Sequence, residues 1–377
     1  MPDAEAAGRT LATLTIDLAA VAENYRMLAA RTAPAECAGV VKAEAYGLGV
    51  ARVAPVLWEA GCRSFFVATL DEGLPLRALL PAATIYVLGG LHGAAAADFI
   101  AAKLRPVLVS RGEVDDWIAA ADDAADALAG LHLDTGMARL GMPADELERL
   151  ADDPPTLRRL RLTLVMSHFA CADTPDHPLN LEQQHRFRRA LERLRLPKAV
   201  RRSLAASSGI FLGPDCAFDL VRPGAALYGI APVAGRPNPM RPVVRLQAKI
   251  LQVRRVDAGS TVGYGATHRF ARPVRLATIG VGYADGFMRA LSNRGGAYIG
   301  DRRAPIVGRV SMDFVTIDIT DIPEGEAEVG TLVDLIGPRN PVDTVATEAG
   351  TIGYEILTSL GHRYRRRYLS ADPAATR

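Results

Sequence analysis

An α/β fold is predicted, an N-terminal (β/α)8 TIM-like barrel followed by a mostly β C-terminal domain, and three observations predict it. Short β-branched runs alternate with helix-period segments from about residue 37 to 230, the pattern of parallel βαβ units. Residues 231–242, APVAGRPNPMRP, then place four prolines and a glycine in twelve positions, the composition of a domain boundary. Beyond them the pattern turns to strands separated by turn residues, and helical spacing returns only near 342–360. The domains expected are 14–236, the barrel, and 237–377, the β domain.

In chain order the candidate barrel strands are 38–42, 64–68, 84–88, 105–109, 129–134, 161–167, 203–206 and 218–221, eight in all. The clearest intervening helix is 181–195, where Leu181, Gln184, Phe187, Leu191 and Leu194 recur at helical spacing behind Asn180 as N-cap. In the second domain 243–256, 274–281, 303–310, 312–319 and 331–336 read as strands. The basic run Arg363 to Arg367, interleaved with Tyr364 and followed by Tyr368, reads as a strand edge or solvated face.

Composition narrows the function. A chain of 377 residues suits two domains, and 49% apolar with 23% charged residues is ordinary for a globular protein, which excludes disorder and fibrous classes. Lys and Arg (44) nearly cancel Asp and Glu (42), so nucleic acid is not the expected partner. Cys37, Cys62, Cys171 and Cys216 form no C-x-x-C pair, and neither a metal site nor a disulfide framework is expected. The opening MPDAEAAGRT lacks a basic segment followed by an apolar core, and no run reaches the ~20 apolar residues that span a bilayer. A cytoplasmic protein without a membrane partner is expected.

The first barrel strand runs into GVVKAEAYGLG, which sets Lys42 at its C-terminal end and Tyr46 and Gly47 in the loop beyond, where barrel enzymes keep their active sites. A desolvated lysine amine, or one beside positive charge, loses its proton and becomes a nucleophile for carbonyl carbon. The alternative is a lysine leaving the barrel for solvent. The seventh strand ends in LAASSG and the eighth runs into VRPGAALYG. Loops at these two positions commonly bind phosphate, and Ser207, Ser208, Gly209 and Gly224 fit that need, although Ser-Ser-Gly alone is an ordinary turn. A lysine after strand one with a phosphate cradle after strands seven and eight describes a phosphorylated aldehyde cofactor. Arg139, in LDTGMARLGM, and His168, in MSHFACAD, lie at further strand ends.

As a set these motifs resemble the alanine racemase family over nearly the whole chain. VVKAEAYGLG resembles its cofactor-lysine motif, LDTGMARLG its arginine motif and VRPGAALYG its cofactor-ring motif; VGYGATH, GYADG, VGRVSMD and IGYE follow in the order of its second-domain signatures. The resemblance implies a pyridoxal 5'-phosphate enzyme that interconverts L- and D-alanine with two bases, Lys42, which also carries the cofactor, and Tyr264. It implies that Tyr46, Ser208, Gly224 and Tyr354 hold the phosphate, with Ser207 beside them, that Arg222 faces the pyridine nitrogen, and that His168 joins Arg222 in a chain leading toward the tyrosine. Arg139 would meet the ring hydroxyl and, with the Met312 amide, the substrate carboxylate. It also implies a head-to-tail homodimer in which Tyr264 and Met312 serve the partner's Lys42, and a supply of D-alanine for peptidoglycan. Glu44, Leu48, Ser207, Ser311 and His132 depart from common family residues, the last where some members carry a modified lysine that braces the arginine. The alternatives are a broader racemase acting on serine or other small amino acids, and a decarboxylase of the same architecture. Arg222, where such decarboxylases carry an acid, counts against the second.

Overall fold

The structure is a computed structural model and describes residues 10–91, 96–121, 124 and 126–370. The end of the expected second domain, 371–377, lies outside the described residues. The chain divides into two compact units. One comprises Val21–Leu227 with Ala231–Met240; the other gathers the described residues up to Ala20, Tyr228–Ile230, and those from Arg241 onward.

The chain's first strand, β1 (Ala12–Asp17), alternates buried and half-buried residues and belongs to the second unit. The first unit is the barrel. After β2 (Glu36–Cys37), the strands β3 (Gly39–Val40), β4 (Ser64–Val67), β5 (Thr84–Val87), β6 (Arg105–Leu108), β7 (Ala129–His132), β8 (Leu162–Met166) and β9 (Arg201–Ser203) form one parallel sheet in chain order. The eighth position is filled by β10 (Leu220–Val221), which pairs in parallel with β2, while the bridge Ala206↔Arg222 ties the chain beside it to the end of β9. Because the Ala38 and Val40 amides donate to the Val221 and Pro223 carbonyls (2.9 and 3.0 Å), β2 and β3 act as one strand and the ring of eight closes. All four residues of β4 are buried, as befits a strand covered on both faces.

The helix expected at 181–195 runs from Pro178 to Leu194, and its N-cap is His177, not Asn180. Pro178 explains the earlier start, since its missing N–H costs nothing at the first helical position. Asn180 is buried, and its amide donates to the carbonyls of Cys171, Thr174 and Pro175 (3.0–3.2 Å). Leu181 points outward, and the inner stripe is instead Gln183, Phe187, Ala190 and Leu194.

In the second unit a long strand, β11 (Val244–Val256), is followed by the hairpin β12 (Thr261–Val262) and β13 (His268–Arg269), then β14 (Val274–Ile279), β15 (Gly296–Ile299), β16 (Arg302–Pro305), β17 (Val315–Asp318), β18 (Leu332–Ile336) and β19 (Arg365–Leu369). The main sheet runs β16-β15-β18-β11-β1-β19, with β14 also on β11 and β17 on β14. The strands expected at 303–310 and 312–319 are much shorter, because residues 306–314 form a loop turned by Gly308 (φ 77°), whose missing Cβ would lie 2.9 Å from the Val262 carbonyl oxygen. The basic run lies on β19, the edge strand, where it pairs in parallel with β1. Helices Val342–Ala349 and Gly353–Ser359 occupy the expected helical segment. Among the described residues no helix is long and apolar enough to cross a membrane.

Candidate active site

Lys42 leaves β3 into a turn of unusual hand. Ala43, Glu44, Ala45 and Tyr46 all have φ between 52° and 57°, a left-handed turn of non-glycine residues that costs about 1 kcal/mol or more apiece. Its backbone is closed by the Ala45 amide on the Val41 carbonyl (2.9 Å) and the Gly49 amide on the Glu44 carbonyl (2.8 Å). Tyr46 is buried by this path, while Lys42 is half-buried and its ammonium has no hydrogen bond or ion pair among the described residues. Burial first, then the nearby Arg139 guanidinium, lowers the Lys42 pKa; Glu72 opposes them. The amine is thus tilted toward the neutral, nucleophilic form.

Arg222 follows β10 and is 3% exposed. Its guanidinium donates to the Ser203 hydroxyl, to the Ser167 carbonyl (2.6 Å) and to the Leu204 carbonyl (3.4 Å), and lies 3.4 Å from His168 Nδ1. These partners are all neutral, so the charge is oriented without being cancelled, and burial pushes its pKa down to about 9. His168, after β8, is driven to about 3 by burial and then by Arg222 and Arg139; His132, at the end of β7, is driven to about 4 by burial and the same two arginines. Both imidazoles are neutral at pH 7. The His168 backbone is fixed by Gln183, whose amide nitrogen donates to the His168 carbonyl (2.9 Å) while its oxygen accepts from Ala170 (2.9 Å).

The loops after β9 and β10 meet. The Ser207 hydroxyl oxygen accepts from the amides of Gly224 (3.0 Å) and Ala226 (3.1 Å), so this side chain braces the loop after β10. A Cβ on Gly224 would stand 2.3 Å from the Tyr46 hydroxyl, so a side chain there must displace its surroundings, and the tyrosine is set against this loop. The amides of Ser208, Gly209 and Ala225 have no acceptor among the described residues, although Gly209 and Ala225 are buried. Buried donors of this kind call for an anionic acceptor, and a phosphate fits them.

Arg139 is exposed at the tip of the loop after β7. Asp134 shapes that loop by accepting the amides of Gly136, Met137 and Ala138 (2.8, 3.0 and 3.2 Å). Burial pushes the Asp134 carboxyl up, yet the three amides outweigh it and hold the group below its ordinary value. In the second unit Tyr264 is 73% exposed, in a turn flanked by Gly263 and Gly265 with φ near 70°, and Met312 is 53% exposed. The Ser311 and Met312 carbonyls accept from Tyr283 and Ala284 (both 3.0 Å), while the Met312 amide has no acceptor among the described residues. Tyr354, on the helix Gly353–Ser359, is 37% exposed.

Lys42, Tyr46, His168, Ser207, Ser208, Arg222 and Gly224 therefore lie at or just beyond C-terminal strand ends of the barrel unit, with Arg139 on the loop after β7. Tyr264, Met312 and Tyr354 belong to the second unit. Sequence reasoning missed Glu72, Glu113, Asp134 and Gln183. The first two carried a readable sign, since Thr69-x-x-Glu72 and Ser110-x-x-Glu113 are capping-box patterns.

Residues 16–232 match the model of the alanine racemase N-terminal domain and residues 243–368 that of its C-terminal domain. The alanine racemase of Rhodospirillum rubrum is 52% identical, covering 96% of both chains, and that of Acidiphilium cryptum is 54% identical over 94% of this chain and 98% of its own. Among solved structures, alanine racemase from Bartonella henselae with covalently bound pyridoxal phosphate superimposes with a TM-score of 0.91 at 43% identity, covering 95% of this chain and 99% of that one. The chain belongs to the alanine racemase family of isomerases.

Proposed function

We propose that the protein interconverts L- and D-alanine with pyridoxal phosphate held on Lys42, using Lys42 and Tyr264 as the two bases. The observation that carries this reading is the half-buried, unpaired amine of Lys42 in the same barrel mouth as the unfilled amides of Ser208, Gly209 and Ala225. Pyridoxal phosphate, when bound, supplies an electron sink that makes the substrate Cα proton acidic. Lys42, with its ammonium disfavoured by burial, takes or returns that proton on one side. Tyr264 serves the other side. Arg222, fixed by neutral acceptors, offers the pyridine nitrogen an N–H that it does not give up, which weakens the sink and disfavours transamination. Tyr46, Ser208, Gly224 and Tyr354 bind the phosphate, Ser207 braces the loop beside it, and His168 steadies Arg222. Arg139 and the free Met312 amide receive the substrate carboxylate.

We further infer a homodimer in which each site takes Lys42 from one chain and Tyr264 and Met312 from its partner. The exposed Tyr264, Tyr283, Met312 and Phe314 of the second unit support this, since such apolar exposure suits an interface. In this reading 14–236 is the cofactor domain and 237–377 serves the partner's site, in the cytoplasm, making D-alanine for peptidoglycan. Borohydride reduction followed by peptide mapping tests it: the cofactor should be found on Lys42, and L-alanine should lose its optical rotation with the native protein. A cofactor trapped elsewhere, or faster turnover of L-serine than of L-alanine, overturns the corresponding part.

A further inference from the structure

The left-handed turn that carries Lys42 is strained at four residues, and something outside it must hold it. Glu72, on the first turn of the helix Leu70–Leu79, does so: one carboxylate oxygen accepts the amide of Ala43 (2.8 Å), the residue after Lys42, and the other accepts the amide of Ala68 (2.7 Å), just past β4. Thr69 caps the same helix by accepting the Glu72 amide (3.4 Å), so the glutamate occupies the third helical position, from which a capping box would normally turn back to the cap residue's own N–H. Here it reaches one residue further back and across to the neighbouring loop. Glu113 repeats the device two strands away. It follows Ser110 by three residues, and its oxygens accept the amides of Val109 (2.9 Å) and Leu91 (3.0 Å), the loops after β6 and β5. Neither of those loops carries a lysine.

We propose that Glu72 is a positioning residue for Lys42: by accepting the Ala43 and Ala68 amides together it fixes the left-handed turn from which the lysine projects. A carboxylate is required, because two N–H groups converge on the side chain and only a carboxylate offers each an oxygen. A carboxamide of the same shape turns its NH2 toward one of them and leaves that donor opposed. The nearby negative charge also favours the Lys42 ammonium, partly offsetting Arg139. The inference rests on the reading of Lys42 as the cofactor lysine.

The test compares Glu72→Gln with Glu113→Gln in the holoenzyme, since each removes the same kind of clamp but only one touches the lysine turn. The readouts are the visible circular dichroism of the bound cofactor, which reports its orientation, and its rate of release on dilution. Loss of one charge-assisted hydrogen bond corresponds to about tenfold. Release at least about fivefold faster from Glu72→Gln than from Glu113→Gln, with an altered dichroic band, supports the assignment; a smaller difference, or an unaltered band, overturns it. Should Glu72→Gln fail to fold, Glu72→Asp, which is one methylene short, is read by the same criterion. A wild-type protein whose reduced cofactor is off Lys42 sinks the cofactor-lysine reading itself. A wild type trapped on Lys42, with the two variants alike, sinks only the role of Glu72.

Discussion

Gly224 shows how closely a single position is specified. Its missing Cβ would lie 2.3 Å from the Tyr46 hydroxyl and 3.2 Å from the Val40 side chain, so Gly224→Ala must displace the tyrosine, the end of β3 or the loop after β10. Overpacking of this kind costs about 1–3 kcal/mol, and cofactor affinity should fall by about one to two orders of magnitude, measured by equilibrium dialysis. An affinity within about twofold of wild type would mean that the Tyr46 contact is irrelevant to binding. The two buried histidines give a second prediction. Unfolded, each titrates near 6.5; folded, burial and then the two arginines hold His168 at about 3 and His132 at about 4. In the window between those values and 6.5 the unfolded chain binds protons that the folded chain refuses, so stability falls as pH drops. From pH 8 to pH 5 the loss is about 2 kcal/mol per histidine, and urea titrations at the two pH values should record it. In His168→Gln the drop should be about half as large; an unchanged drop would assign the pH dependence elsewhere. The strand-end residues were legible because a barrel gathers its C-terminal ends on one face, so sequence position alone brings Lys42, Arg139 and His168 together. Glu72 was legible only as a capping-box residue behind Thr69; its reach to the Ala43 and Ala68 amides on two different loops has no signature in residue identity.

At the scale of elements, periodicity located strands better than it located their partners. The run at Ala12–Asp17 alternates but was not among the expected strands, and alternation cannot reveal that it pairs antiparallel with β11, more than two hundred residues later, and in parallel with β19. Residues 14–17, within the range expected of the barrel, thus lie in the second unit's sheet. Helix 178–194 teaches the converse: its helical spacing was readable, yet of the expected stripe only Phe187 and Leu194 are buried, and Asn180 has the chemistry of a cap but spends it on three loop carbonyls inside the helix's first turn, a choice made by Pro178 and by tertiary contacts. The 306–314 loop was read as the end of one strand and the start of the next because Ile306, Val307 and Val310 are β-branched; the expected break fell at Ser311, whereas the chain turns at Gly308. The position of β1 has a measurable consequence. Leu14 is fully buried between β11 and β19, and Leu14→Ala should cost about 2–5 kcal/mol through lost burial and a residual cavity. Because the strand belongs to the second unit, amide exchange should accelerate in β11 and β19 before it does in β4–β8. Uniform acceleration across both units would show that they unfold as one.

At the scale of the whole molecule, the two proposed bases fall in different compact units. Lys42, Arg222 and the loops that carry Ser208 and Gly224 are in the first; Tyr264 and Met312, both exposed, are in the second. If the bases belong to one chain, two inactive variants cannot rescue each other. If they come from two chains, they can. Lys42→Ala and Tyr264→Phe homodimers should each be strongly impaired, the tyrosine variant in at least one direction, because every site lacks one of its two bases. A mixed dimer has one site that inherits both lesions and one that combines Lys42 from one chain with Tyr264 from the other. After equal mixing and full exchange about half of the dimers are mixed, each with one intact site in two, so about a quarter of wild-type activity should return. The assay is racemisation of L-alanine, followed by circular dichroism, with exchange demonstrated by native mass spectrometry of differently tagged chains. Activity that stays at the mean of the parents despite complete exchange places both bases in one chain and removes the shared-site reading, while leaving the cofactor assignment to Lys42 untouched.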